Sequence, residues 1–257
     1  MTIMRHTTAI IIALAALIAT SCSNSNSNNA AAEGYTVSGT AEGTVDGDTV
    51  FLCKIEGFFD VVPLDTTVVA NSKFTFKGTT EGASLRFVIP MHNGQAVAFS
   101  VFVLENADIT LAVTANGRND KVTGGPSQKL YEEFLDGETQ LGQQMQMALD
   151  VLNDSTADES TRMMATLQAD SVSRQQHTFR KEFIISHMPS PASDMLYGLY
   201  SNEFTDEEQQ ELLDLMGQKQ PQYPVYKAAL AERSKRGRTG SAEADSAAAE
   251  GIQQRKQ

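Results

Sequence analysis

The chain has 257 residues, 41% apolar and 20% charged, the make-up of an ordinary globular protein with room for one or two domains. Its formal net charge is −12, and taking away the +1 of Arg5, the single charged residue ahead of Cys22, leaves −13 from that cysteine onward. So acidic a balance argues against general nucleic-acid binding, which needs a basic surface to displace counterions from phosphates, and against adhesion to anionic lipid through charge.

Residues 1–6 carry one firm positive charge, Arg5, and residues 9–19 are an unbroken apolar stretch. That length suits the hydrophobic part of a signal peptide, whereas a bilayer span needs about 20 residues. Ile18-Ala19-Thr20-Ser21-Cys22 then sets small residues before a cysteine, like a lipobox with Ala19 where such boxes usually carry leucine. The chemistry needs a cysteine there, because its thiol takes the diacylglycerol before the peptide is cut. The sequence therefore predicts a signal peptide over 1–21, lipid attachment at Cys22, and a lipoprotein held to a membrane of the cell envelope and facing the periplasm. An ordinary signal peptide cut nearby, with Cys22 incidental, is the alternative.

Residues 22–34 read as a flexible tether, since Ser and Asn alternate from Ser23 and offer nothing to bury. With Cys22 lipidated, Cys53 is the one thiol left, and an intramolecular disulfide is ruled out.

From Tyr35 the apolar residues alternate. Leu85, Phe87 and Ile89, Phe74 and Phe76, and Ile109, Leu111 and Val113 each fall on every second position, the period of a strand with one buried face. Asp46-Gly47-Asp48, Asn71-Ser72 and Asn93-Gly94 punctuate the runs, and Asn93-Gly94 suits a tight hairpin turn. The stretch from Ala96 to Leu104 is apolar on both faces and predicts a central strand. About seven short strands in all predict a small antiparallel β-sandwich or barrel over residues 35–125.

The period changes at Gly124-Gly125-Pro126-Ser127. Leu130, Tyr131 and Phe134 recur at helical spacing, as do Met163, Met164 and Leu167, then Val172, Phe179, Phe183 and His187. Ser190-Pro191 predicts a helix start, Thr205 to Glu208 a capping box, Leu212, Leu213, Leu215 and Met216 a buried stripe, and Gly217 its end. Another helix starts near Pro224, and its basic end reaches Arg233, Lys235, Arg236 and Arg238. Residues 126–236 thus predict an α-helical module, and 237–257 a disordered tail poor in apolar residues. The fold class is α+β.

Several of these runs are familiar together. Tyr35-Thr-Val-Ser-Gly-Thr, Asp46-Gly47 before Val50-Phe51-Leu52, Asp65 to Gly78, Phe102-Val103-Leu104-Glu105-Asn106-Ala107-Asp108-Ile109 and Val122-Thr123-Gly124-Gly125 resemble a domain of unknown function, family 4369, over about residues 35–134. The resemblance implies an exported lipoprotein in which the domain precedes a helical spacer and a thioredoxin-like domain. Phe183 to His187 and Thr205 to Met216 look like that spacer. No Cys-x-x-Cys occurs, and the chain runs into its tail and stops at Gln257, so the resemblance carries no redox activity over. It supplies no catalytic residues.

The chemistry-bearing residues have bland readings. Cys53 lies in an apolar strand and reads as a buried thiol. His92 sits in a turn, and His177 and His187 are ten residues apart, about 15 Å along a helix, too far to share one metal. Asp46-Gly47-Asp48 lacks the spacing of a calcium loop and reads as a turn. No Gly-x-Ser-x-Gly elbow is present. Met145, Met147, Met163 and Met164 suit either a helical core or an adaptable binding face. The expectation is a non-enzymatic binding or scaffold lipoprotein, needing no metal or cofactor, with a protein or small-molecule partner and no nucleic acid. The alternative is an accessory role in envelope thiol–disulfide chemistry, serving a separate thioredoxin-like protein.

Overall fold

A computed structural model of the chain describes residues 33–57, 60–115, 117 and 120–235. The expected signal peptide and lipid site at Cys22, most of the expected tether, and the residues after 235, with Arg236 and Arg238, lie outside the described residues.

Strands come first. They are β1 (Tyr35–Ala41), β2 (Thr49–Glu56), β3 (Asp60–Val68), β4 (Phe74–Gly78), β5 (Ser84–His92), β6 (Gln95–Ala96), β7 (Ser100–Leu104), β8 (Asp108–Val113) and β9 (Lys121–Thr123). One sheet runs β4-β1-β8-β9; the other runs β3-β2-β5, with β6 and β7 both on the far side of β5. Pairing is antiparallel except between β1 and β8, which run parallel from Thr36 opposite Asp108 to Ala41 opposite Val113.

The sheets face each other as a sandwich. Val37, Phe74, Phe76, Ile109 and Leu111 from one meet Val50, Leu52, Val88, Phe102 and Leu104 from the other in a single core. Burying a large side chain of this kind contributes about 1.5–3 kcal/mol. The turns follow the sequence. Asn93 and Gly94 both take positive φ (50° and 77°), as a two-residue hairpin turn requires.

Two strand expectations need correction. The run from Ala96 to Leu104 is not one central strand: pairing lapses over residues 97–99, and β7 lies at the sheet margin, paired with β5 alone. In β5 the side chain that fills the sandwich core is Val88, while Leu85, Phe87 and Ile89 occupy the opposite face.

The strands give way to helices across Gly124 and Gly125, both at positive φ (92° and 79°). A Cβ on Gly124 would lie 2.0 Å from the Asp108 carbonyl oxygen, so only glycine passes there. The helices are α1 (Pro126–Asn153), α2 (Glu159–Ser186), α3 (Pro191–Tyr200) and α4 (Asp206–Lys219), with a 3₁₀ turn at Ser201–Glu203 and a last helix, α5, over residues 224–235. Ser190 caps α3 ahead of Pro191, and Thr205 and Glu208 form the expected capping box of α4. Gly217 does not end α4, which continues to Lys219.

The helical core gathers Phe134, Phe183, Ile184, Leu196, Leu212 and Met216. It lies at the base of the α1–α2 hairpin. The far part of the hairpin does not give the methionines the core reading: Met163, Met164 and Leu167 are 62%, 68% and 58% exposed. The seam there is made by small side chains, Ala148, Ala165 and Val172.

Candidate functional site

The junction of strands and helices is a set of long-range clasps. Glu105, just after β7, is almost fully buried and accepts from the Ser127 N–H and the Ser127 hydroxyl, both at 2.7 Å. It satisfies an N–H in the first turn of α1, where Gly125 has no side chain to do so. The Gln128 Oε1 accepts from the Val103 N–H at 2.8 Å and so closes part of the free margin of β7. Asn106 takes the Thr80 N–H and donates to the Thr80 carbonyl. Ala83, Val103 and Met195, with Leu85 and Tyr131 beside them, form a small apolar cluster under the junction.

These clasps account for the run from Val103 to Asp108 and the pair Gly124-Gly125. Residues 35–131 match the family described as a domain of unknown function, DUF4369. This chain carries that domain. The DUF4369 match spans all nine strands and runs into α1 as far as Tyr131, so both partners of the Glu105–Ser127 clasp fall within it. No curated protein matches the chain.

The outer face of the β3-β2-β5-β7 sheet in the DUF4369 domain is apolar. Side chains opposite one another on paired strands share a face. Cys53, Phe87 and Val101 form one such row, and Phe51 and Ile89 the next. Phe99 packs its ring on Phe87 at 4.7 Å and is itself 45% exposed. Ile55, Val61 and Val101 are exposed beside it. Among the described residues, Met195 and Tyr131 of the helices pack on the Leu85–Val103 end of this face.

A second open surface runs along the α1–α2 hairpin. A groove of about 550 Å³ is lined by Gln140, Gln144, Arg174, Gln175 and Phe179, among others. It meets another of about 360 Å³ between Met147 and Val151 of α1 and Met164 and Gln168 of α2. Gly137 lets the helices close on its floor, since a Cβ there would lie 2.3 Å from the Phe179 ring.

The residues singled out from the sequence lie apart. Cys53 is a buried free thiol, and burial pushes its pKa up, away from reactivity. His92 Nδ1 lies 2.8 Å from Asp48. Asp46 accepts from the N–H groups of Ser72 and Asn71, which hold its carboxyl below the usual range. The pair of aspartates therefore orders turns. His187 Nδ1 contacts the Phe183 carbonyl at 2.8 Å. His177 Nε2 lies 3.0 Å from both oxygens of Glu208, joining α2 to α4. Among the described residues no three His, Cys, Asp or Glu side chains gather where they could hold a metal ion. No helix among them is long and apolar enough to cross a membrane.

Sequence reasoning missed a charged cluster at the base of the hairpin. Arg180 donates to both oxygens of Glu138, pairs with Glu203 and lies 4.8 Å over the Tyr200 ring. Hydrogen bonding to Glu138, chiefly, raises the guanidinium pKa. It ties the base of the hairpin to the end of α3. Its partners are 42 and 23 residues away, so no local pattern reveals it.

Proposed function

We propose that this protein is a lipid-anchored, non-catalytic binding or scaffold module of the cell envelope, attached through Cys22 and facing the periplasm. The observation that carries the binding role is the outer sheet face, where Phe51, Phe87, Ile89, Phe99 and Val101 stand together beyond the cluster that Met195 and Tyr131 make with the strands, among the described residues. Contiguous apolar surface of this kind on a globular domain marks an interaction site. Its aromatic content matches the residues that anchor protein interfaces. Support for the anchor comes from the residue order alone: Arg5, the apolar stretch 9–19, and small residues leading to Cys22.

The test is a photo-reactive side chain placed at Val101 in the full-length protein in cells. Adducts at Val101, absent when the same group replaces exposed Lys77, support the reading. Equal labelling at both positions rejects the sheet face as the site.

A further inference from the structure

The α1–α2 hairpin continues well past its packed base. From Gln140 to Asn153 and from Glu159 to Gln176 the only buried apolar side chains are Ala148, Ala165 and Val172. Most helical stability in proteins comes from tertiary packing of an apolar face, and small seam residues remove little apolar area from water. Met147, Leu149, Met163, Met164 and Leu167 are exposed on this arm instead.

The arm is also free of charge along its middle. No charged residue lies between Glu138 and Asp150 in α1, or between Arg162 and Asp170 in α2. The groove face carries Gln144, Met147, Met164 and Gln168.

We propose that a second copy of this chain covers the arm, hairpin against hairpin, to form a four-helix bundle about a two-fold axis. Three properties favour a copy over an unrelated partner. At net −13 from Cys22 onward, two copies repel across most of their surface, and this neutral stretch lets them approach without like-charge contact. Glutamine holds both donors and an acceptor, so a glutamine row satisfies its own copy across a two-fold axis. An acidic or basic partner would find no charge to pair with in the groove between Met147 and Gln168, since Arg174 and Glu182 line only the wider groove nearer the base. Two two-helix arms are also the smallest closed bundle that buries such a groove. The inference is separate from the sheet-face reading, and either can fail alone.

Sedimentation equilibrium on the chain from Ser23 onward, which keeps every described element, tests it. The expected result is a reversible monomer–dimer equilibrium. Met164→Glu with Gln168→Glu should weaken association by ~10-fold or more, through desolvated like charges, while Met164→Leu leaves it unchanged. Far-UV circular dichroism confirms that the variants keep their helices. A Gln168→Cys variant should oxidise to a covalent dimer, and Lys77→Cys should not. A monomer at every concentration up to ~100 μM, a range covering ordinary specific association, overturns the proposal. So does a dimer that the double glutamate variant leaves intact, or an arm found occupied by a different protein.

Discussion

Glu105 and Ser127 are joined by two hydrogen bonds of 2.7 Å, one to the Ser127 N–H and one to its hydroxyl, across the boundary between the last core strands and the first helix. The carboxylate does for α1 what an N-cap side chain does elsewhere, but from a distant part of the chain. Glu105→Ala should therefore lower unfolding stability by about 2 kcal/mol, the scale of a lost buried hydrogen bond to a charged group. Glu105→Gln keeps one acceptor and should lose less. Urea unfolding followed by circular dichroism measures both, and an unchanged midpoint for Glu105→Ala would remove the clasp from the account.

The Glu208 carboxyl is held below its usual range, first by His177 and then by the Thr205 N–H and Lys181. A carboxyl depressed in the folded state adds stability above its unfolded pKa of about 4.3, and that contribution is lost as pH falls through the lower folded value. Stability should thus decline below about pH 4.3 by this route, and Glu208→Gln should flatten that part of the profile. Asp194 works in the opposite sense. Burial raises its pKa although it accepts from the Val225 and Tyr226 N–H groups. Its contribution is present below about pH 3.9 and lost as pH rises through the folded value, so Asp194→Asn should remove a decline in that window. Thermal unfolding across pH 3 to 7 on the two variants separates the slopes.

The proposed membrane attachment rests on Cys22. Cys22→Ala should release the protein from the membrane fraction, and a variant that resists a high-salt wash would place the anchor elsewhere.

A dithiol reductase needs an attacking thiolate and a resolving thiol. The chain from Ser23 onward holds only Cys53, which is buried with its pKa raised. Insulin reduction by this chain should match the uncatalysed rate, and so should Cys53→Ser. Turnover that depends on Cys53 would point to the thiol–disulfide alternative.

Local signals in the sequence were legible and long-range ones were not. Asn93-Gly94, Ser190-Pro191 and the Thr205–Glu208 box each act within a few residues, and each forms as read. The period of β5 was visible but its phase was not, because Leu85, Phe87 and Ile89 alternate with Val88 and Pro90 and both faces are apolar. The same ambiguity made Met163, Met164 and Leu167 look like core, since helical spacing names a face without saying what it meets. The apolar sheet face needed the register of three strands before Cys53, Phe87 and Val101 fell into one row. Glu105–Ser127 and Arg180–Glu138 join residues 22 and 42 positions apart, which only the folded chain brings together.

The clasp at Ser127 lies at one end of a long rod. α1 has 28 residues and, at 1.5 Å each, extends about 42 Å from its root. A tilt of about 5° at the Glu105 joint would sweep its far end through about 4 Å, roughly a side-chain width, at that helical rise. The clasps and the apolar cluster at the root thus set the aim of the methionines at the tip, and a small disturbance of the strand domain is magnified by leverage before it reaches them.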